Sequence, residues 1–541
     1  MFNFSLNTLK GDIFGGLTAA VVALPLALAF GVASGIGPIA GLYGAIAVGF
    51  FAAVFGGTSA QVSGPTGPMT VVMAVIVAQN ANDLSDAFAI VFLGGVLQIA
   101  FGALKLGRYV SYTPYSVVSG FMSGIGVIII LIQTLPFFGL PTAGGGPLGA
   151  IQTWPEIATN ALNYDALAIG FLSLAIMIFW PARLRAFMPP PLAALVAGTL
   201  CALFIFTGAP IIGHVPTGLP DISMPHVPFD RLPDVVGGAM TLALLGSIDS
   251  LLTSLVADSI TRTRHNSNRE LVGQGIGNMV SALIGGLPGA GATMRTVVNV
   301  RAGGRTPISG ALHALVLLAL VLGLGPMAEK IPHAVLAGIL LKVGWDIIDW
   351  GYLRRVMRAP RDKVIVMFIT MGLTVFVDLI TAVAVGLILA GFVTAKWQEQ
   401  EQLEGVTKLA LPDGESPLTS AERKELRKAN GDVSIVFLRG SFSYASAREL
   451  AARIGGETPG HKAIVYDFTD AAHMDTSAAL AIEELIEQAL EEHDACFISG
   501  LSGQALTTLQ SLGVLDGFAK DHQFAKRSDA IKAAVQLALK S

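Results

Sequence analysis

Two glycine-rich interruptions constrain this chain more than any other feature, because both fall inside an otherwise apolar body. The first reads Ser63-Gly64-Pro65-Thr66-Gly67-Pro68-Met69 and the second Leu287-Pro288-Gly289-Ala290-Gly291-Ala292-Thr293-Met294. Each follows a hydrophobic stretch that closes in a Gly-Gly pair, Ala53-Val54-Phe55-Gly56-Gly57 and Ala282-Leu283-Ile284-Gly285-Gly286. Inside a bilayer, backbone that is not helical is tolerated only where protein buries it or where it lines a cavity. Interrupted segments at corresponding places of two halves therefore point to a midplane solute cavity. A helix that restarts within the membrane presents free N–H groups and the positive end of its dipole. Such an end holds a small anion without burying a lysine.

Composition agrees with a membrane setting. Of 541 residues, 53% are hydrophobic and only 13% charged, against about 25% charged in soluble domains. Mean hydropathy is +0.65. The 62 glycines and 27 prolines suit broken transmembrane helices. A net charge of -4 with no basic cluster gives no sign of a nucleic-acid partner. Cys201 and Cys496 lie in different regions, so no disulfide framework is implied. The start, Met1-Phe2-Asn3-Phe4-Ser5, lacks a basic n-region and a small-residue cleavage site, so the stretch 15–31 reads as a retained first span.

Apolar segments follow one another from about 12 to 396. Spans are expected near 12–31, 38–56, 62–79, 86–104, 112–136, 164–181 and 190–208. A second set falls near 235–257, 270–286, 292–302, 306–325, 333–348, 363–377 and 379–395. A full span needs roughly 20 apolar residues, and the segments after each break are too short or too polar, as half-helices are. The halves echo one another weakly: Asp12-Ile13-Phe14-Gly15-Gly16 pairs with Asp234-Val235-Val236-Gly237-Gly238, and the Ala-rich Gly-Gly elements above pair likewise. Seven is odd, so the second copy enters the membrane from the opposite side, which makes the repeat inverted. Repeat one is placed at 8–208 and repeat two at 232–397 of an all-α transport domain spanning 1–397.

Lys and Arg set the orientation. None occurs between Tyr109 and Ala182, so the 137–164 loop is expected outside. Lys105, Arg108, Arg183, Arg185, Arg262, Arg264, Arg269, Arg354, Arg355, Arg358 and Arg361 mark loops inside, which places both termini in the cytoplasm. After Lys396 the composition turns polar. A linker is assigned to 398–431 and a small α/β domain to 432–541. Its expected strands are Val433 to Leu438, Ala463 to Phe468 and Cys496 to Gly500. A helix is expected from Ser477 to Glu492, capped by Asp475 or Thr476, and another from Ser502 to Leu512.

Asp249 is the sharpest chemical candidate. It sits in Gly246-Ser247-Ile248-Asp249-Ser250-Leu251-Leu252-Thr253, deep in the first span of the second half, where a carboxylate costs at least a few kcal/mol and needs a partner. Thr253 shares its helical face. Sodium prefers hard oxygen ligands, much as calcium and magnesium do, and Asp249, Thr253 and carbonyls freed at Gly291 and Thr293 can supply them. A proton carrier or a structural carboxylate are the other readings of Asp249. Thr66 and Thr293 stand where half-helices begin, either as anion donors or as plain caps. Arg295 reads as facing cytoplasmic water rather than lending its charge to the anion. His313 reads as a packing residue rather than a proton relay. Asp378 reads as a turn between the last two spans, and Lys342 as a snorkelling side chain. In the tail, Thr476 and Ser477 read as cap residues before phosphorylation sites. No metalloprotein cysteine spacing, P-loop or nucleophile elbow is present, so no enzyme activity is expected.

In their order, these residues resemble the SulP (sulfate permease) family of anion transporters. Ala23-Leu24-Pro25-Leu26-Ala27-Leu28-Ala29-Phe30-Gly31 resembles the family's first helix, Gly64-Pro65-Thr66 the start of its third, and Ile331-Pro332-His333-Ala334-Val335-Leu336-Ala337-Gly338-Ile339 its twelfth. The tail resembles a STAS domain, with Asp475-Thr476-Ser477 where bacterial relatives carry Asp-Ser-Ser or Asp-Ser-Thr. Gly246 to Thr253 and Gly289 to Thr296 look most like the sodium-dependent bicarbonate transporters within the family. The resemblance implies 14 transmembrane segments as a 7+7 inverted repeat, with a UraA-like core (spans 1–4 and 8–11) and gate (5–7 and 12–14). It implies sodium at Asp249, Thr253, Gly291 and Thr293, and bicarbonate near Thr66, Ala292 and Thr293. It also implies a homodimer, formed partly through the STAS domain, in a bacterial inner membrane. Leu26 replaces a common glutamine, which weakens an argument for sulfate, and Thr476 replaces the usual serine. The rival readings are a proton- or sodium-coupled carrier of sulfate, a dicarboxylate or another small anion, and a membrane-anchored regulator acting through the STAS domain.

Overall fold

The computed structural model describes residues 6–80, 84–110, 113–142, 146–159, 162–184, 188–213, 220, 222–225, 231–411, 416–455, 461–493, 495–516 and 518–540. The chain forms two compact units, Met1–Ala390 and Gly391–Ser541.

The first unit is helical. Its elements are α1 (Leu6–Ala33), α2 (Pro38–Phe55), β1 (Ser63–Gly64), α3 (Gly67–Gln79), α4 (Leu84–Ala103), α5 (Gly107–Val110), α6 (Tyr115–Phe137), α7 (Gly146–Thr159), α8 (Tyr164–Phe179) and α9 (Pro190–Phe204). The second half holds α10 (Leu232–Thr261), α11 (Ser267–Leu283), β2 (Ala290–Gly291), α12 (Thr293–Arg301), α13 (Pro307–Ala328), α14 (His333–Ile347), α15 (Trp350–Leu353), α16 (Arg361–Phe376) and α17 (Leu379–Glu404). Every expected span meets one helix. Helices α1, α2, α4, α6, α10 and α17 are long and apolar enough to cross a membrane. Helices α3 and α12 have 13 and 9 residues; at 1.5 Å per residue neither reaches across a ~30 Å hydrocarbon core. Helix α7 is a departure: its Trp154 and Pro155 fall in a stretch expected to be loop.

The inverted repeat is visible in the packing. Helix α4 lies on α11, and the counterparts α13 and α2 pack in the same way. The pairs α10·α4 and α1·α13, and α16·α6 and α8·α14, are related likewise. These contacts group α1–α4 with α10–α13, the core, and α6, α8, α9, α14 and α16 into the gate. Where α4 crosses α11 the backbones nearly touch. A Cβ on Gly95 would lie 2.6 Å from the Gly275 carbonyl oxygen, and one on Gly275 would lie 2.5 Å from that of Gly95. Small residues give close helix approach, which is how helices associate where lipid offers no hydrophobic drive.

The second unit carries β3 (Val406–Leu409), α18 (Ser420–Leu426), β4 (Val433–Leu438), β5 (Gly440–Phe442), α19 (Tyr444–Gly455), β6 (Ala463–Asp467), β7 (Ala471–Met474), α20 (Thr476–Glu492), β8 (Ala495–Ser499), α21 (Gly503–Ser511), β9 (Gln523–Phe524) and α22 (Arg527–Lys540). The main sheet runs β3-β4-β6-β8-β9, with β3 antiparallel and the rest parallel. An apolar cluster covers each face. Asp475 is the cap of α20: its Oδ1 accepts from Ala478 N at 2.9 Å and its Oδ2 from Tyr444 N at 2.7 Å. Thr476 and Ser477 are exposed in the first turn. The assignment of 398–431 to a linker is corrected here. Its Gln/Glu run is the end of α17, and β3 and α18 belong to the α/β unit, because Val406 is a buried sheet residue among polar neighbours.

The α4–α11 crossing generates a paired prediction. Gly275→Val puts side-chain atoms into a backbone carbonyl, an overpacking that costs about 3 kcal/mol or more. The variant is expected to lose its monodisperse peak in size-exclusion chromatography. Gly323→Ala, with no atom within 4 Å of the added carbon, is expected to keep that peak and melt at or slightly above wild type.

Candidate functional site

The two breaks are joined. Strands β1 and β2 pair antiparallel, Ser63 opposite Gly291 and Gly64 opposite Ala290. The pairing extends outward: Ala292 N donates to Val62 O at 2.9 Å and Val62 N to Thr296 Oγ1 at 3.0 Å. Gly289 packs so closely on Gly64 that a Cβ there would sit 2.5 Å from the Gly64 carbonyl carbon. The Asn278 side chain holds Gly289 at both ends, accepting from its N–H at 2.8 Å and donating to its carbonyl at 3.0 Å. Helices α3 and α12 start from this crossing.

Neither half-helix is capped by a side chain. The first helical bond of α3 runs from Thr70 N to Thr66 O at 2.9 Å, and that of α12 from Thr296 N to Ala292 O at 2.9 Å. The N–H groups of Gly67 and Met69, and of Thr293, Met294 and Arg295, are therefore left without helical partners. Pro68 has no N–H to leave. The capping reading of the two threonines is corrected: Thr66 Oγ1 is buried with no hydrogen bond among the described residues, and the cap position of α12 is Ala292, not Thr293. Ala292 lies at the site, but its N–H is committed to Val62.

The expected cation ligands converge from α10. Thr253 is fully buried; its hydroxyl donates to Gly291 O at 2.9 Å and accepts from the Thr293 hydroxyl at 2.7 Å. Ser250, on the same face, accepts from Gly291 N at 3.0 Å. Asp249 lies one turn before Thr253, 7% exposed, with its carboxylate facing Thr66.

Among the described residues three buried carboxylates sit in the core, and they differ in one respect. Asp12 accepts from Arg305 N, Thr306 N and Thr306 Oγ1 at 2.7, 2.9 and 2.5 Å. Glu270 accepts from Gly57 N and Thr58 N at 2.9 Å each and from Gln61 Nε2 and Gln274 Nε2 at 2.8 Å each. Asp249 has no such donors, and its Oδ2 is buried with no hydrogen-bond partner among the described residues. A carboxylate held by N–H groups is already compensated, whereas one without them needs a cation or a proton. The Asp249 carboxylate, the two threonine hydroxyls and the Gly291 carbonyl are hard oxygens of the kind an alkali cation takes. No cluster of three His, Cys, Asp or Glu occurs among the described residues.

Arg295 departs from expectation. It is 1% exposed, not turned to cytoplasmic water. Its Nη2 donates to Pro65 O at 3.1 Å, so a residue of the second half-helix grips the first break, and its Nη1 has no hydrogen-bond partner among the described residues. His313 is fully buried, as a packing residue is, but neither ring nitrogen has a hydrogen-bond partner among the described residues. Asp378 caps α17 by accepting from Thr381 N at 2.8 Å, which fits a turn, and Lys342 pairs with Asp346 one turn along α14. Sequence reasoning passed over the stripe Glu270, Gln274 and Asn278. Its four-residue spacing places three polar groups on one face of an apolar helix, and that spacing was the readable signal.

The contrast between the acids predicts opposite responses. Glu270→Gln turns an amide donor toward N–H groups that need an acceptor, a loss of about 3 kcal/mol, and is expected to lower the melting temperature in detergent by several degrees. Asp249→Asn disturbs no bond from a backbone or amide N–H and is expected to melt at or above wild type in sodium-free buffer. Equal destabilisation by both would contradict this reading.

Comparison with known proteins places the chain. The profile of the sulfate permease family matches residues 9–370 and that of the STAS domain residues 425–530. The bicarbonate transporter BicA of Synechocystis sp. is 46% identical over 536 residues, 98% of this chain and 95% of that protein. BicA of Picosynechococcus sp. is 44% identical over 544 residues, again 98% and 95%. The solved transmembrane domain of a cyanobacterial BicA superposes with a TM-score of 0.66 at 50% identity, covering 70% of this chain and 98% of that one. SLC26A9 shares the fold at a TM-score of 0.82 and 18% identity, over 97% of this chain and 90% of that one. This chain belongs to the sulfate permease family of anion transporters and carries a STAS domain.

Proposed function

We propose that the protein imports bicarbonate together with sodium by alternating access. One observation carries the reading: Gly291 and Thr293 belong to the second break, and both are bonded to Thr253 on the helix that carries Asp249. The oxygens suited to a cation and the N–H groups suited to an anion therefore share one short segment. The likeness to BicA over nearly the whole chain supports bicarbonate as the anion.

Coupling then has an electrostatic cause. An ionised Asp249 without a cation repels an anion seated at Thr66 and Thr293. At about 4 Å and an effective dielectric of about 20, one like charge is worth about 4 kcal/mol. Sodium on Asp249, Thr253, Gly291 and Thr293 cancels that charge. The half-helix ends and the buried Arg295 guanidinium then present net positive potential to the substrate. A neutral lining at Leu26 suits a monovalent oxyanion better than sulfate. Core helices α1–α4 and α10–α13 carry both ligands past the gate. Both termini and the STAS domain face the cytoplasm of a bacterial inner membrane, and the assembly is a homodimer.

Labelled-bicarbonate uptake into proteoliposomes tests this. An inward sodium gradient is expected to raise the initial rate at least about ten-fold over potassium, and Asp249→Ala is expected to abolish the stimulation while the protein still purifies as a folded species. Full-rate uptake without sodium, or uptake of sulfate or a dicarboxylate driven by acid outside, overturns the proposal.

A further inference from the structure

Several buried polar side chains outside the site have atoms without a hydrogen-bond partner among the described residues, and one further buried polar side chain, Gln133, borders a cavity. Gln133 on α6 is 4% exposed, and its amide makes no hydrogen bond to any described residue. It faces a small cavity lined also by Phe30, Thr70, Val71, Ile129 and Leu340. An amide facing mostly apolar walls without a partner is destabilising. Leucine or methionine would fill the same space without that cost.

The cavity lies between core and gate: Phe30 is on α1, Thr70 and Val71 on α3, Ile129 and Gln133 on α6, and Leu340 on α14. It continues the anion end of the site. Thr70 is one turn beyond Thr66, and its hydroxyl donates to the Thr66 carbonyl at 2.7 Å. A Cβ on Gly67, between them, would lie 2.8 Å from Ile129 Cδ1. Ile129 is one turn before Gln133. The Thr66–Gly67–Thr70 strip of α3 therefore runs along the Ile129–Gln133 strip of α6. The cavity has room for about one water molecule, too little for an oxyanion while the two strips lie together.

We infer that Gln133 is an anion-binding residue on the path between the outer surface and Thr66, its amide N–H2 donating to the oxyanion when α3 and α6 separate. A neutral donor suits a transit point, where binding must favour entry without preventing exit. The inference rests on the transport reading and membrane orientation given above, and it adds a contact on the gate side that the breaks do not supply.

Kinetics and labelling test it. In proteoliposomes at saturating sodium, Gln133→Leu is expected to raise the KM for bicarbonate about five-fold, the effect of one lost neutral hydrogen bond. The half-saturating sodium concentration is expected to stay unchanged, and Gln133→Asn to recover part of the loss. An unchanged KM in a transporting Gln133→Leu protein overturns the inference. Gln133→Cys in a Cys201→Ala background gives a second readout independent of the leucine variant. Burial pushes the Cys496 thiol up to about 12, so it stays inert to thiol reagents. An impermeant sulfonated methanethiosulfonate added outside is expected to label position 133, and bicarbonate with sodium to slow the labelling. Labelling that no transported anion slows overturns the inference. Should the wild type carry another oxyanion and not bicarbonate, that anion serves as the protectant; the bicarbonate reading then fails while Gln133 is judged on protection alone.

Discussion

The site depends on the antiparallel crossing of two short backbone segments, Ser63–Gly64 and Ala290–Gly291. Two broken helices leave unsatisfied backbone within a bilayer, and pairing the breaks with one another satisfies that backbone. The same pairing fixes the starts of α3 and α12 at one point. Because the second repeat is inverted, strands that occupy equivalent places run in opposite directions, which is what antiparallel pairing needs. Arg295 reaching Pro65 and Asn278 holding Gly289 lock the crossing from the second half. Glu270 locks the chain entering it from the first.

Against that frame, the unpaired state of Asp249 is informative. The core satisfies Asp12 and Glu270 with backbone and amide donors, so this fold readily supplies N–H groups to a buried acid. It supplies none to Asp249. One helical turn along, Thr253 instead holds the Gly291 carbonyl and the Thr293 hydroxyl, and those two residues belong to the break that opens the half-helix whose N–H groups are free. A cation and an anion drawn to this place would meet through Gly291 and Thr293.

Much of this was legible in the sequence because the bilayer simplifies the code. Apolar length located each span, the Gly-Gly pairs located the breaks, and the odd number of spans fixed the inversion. Asp249 and Thr253 were legible because an acid in an apolar helix stands out and a four-residue spacing defines a face. Other features depended on long-range contacts. Arg295 looked like a cation facing cytoplasmic water, and only the crossing shows that its guanidinium turns back to the first break. Thr66 could be read as an anion donor or as a cap, and only the geometry shows that its hydroxyl does not cap α3. The stretch after Lys396 looked like a linker because its polar run conceals a helix end, while β3 owes its place to pairing with β4, about 30 residues on.

Reciprocal binding measures the coupling most directly. Calorimetric titration of the purified protein with bicarbonate, with and without saturating sodium, and with sodium, with and without saturating bicarbonate, gives two coupling factors that linkage requires to be equal. The account predicts that each ligand tightens the other by the same factor, about ten-fold or more. Bicarbonate affinity that is the same with and without sodium would contradict it.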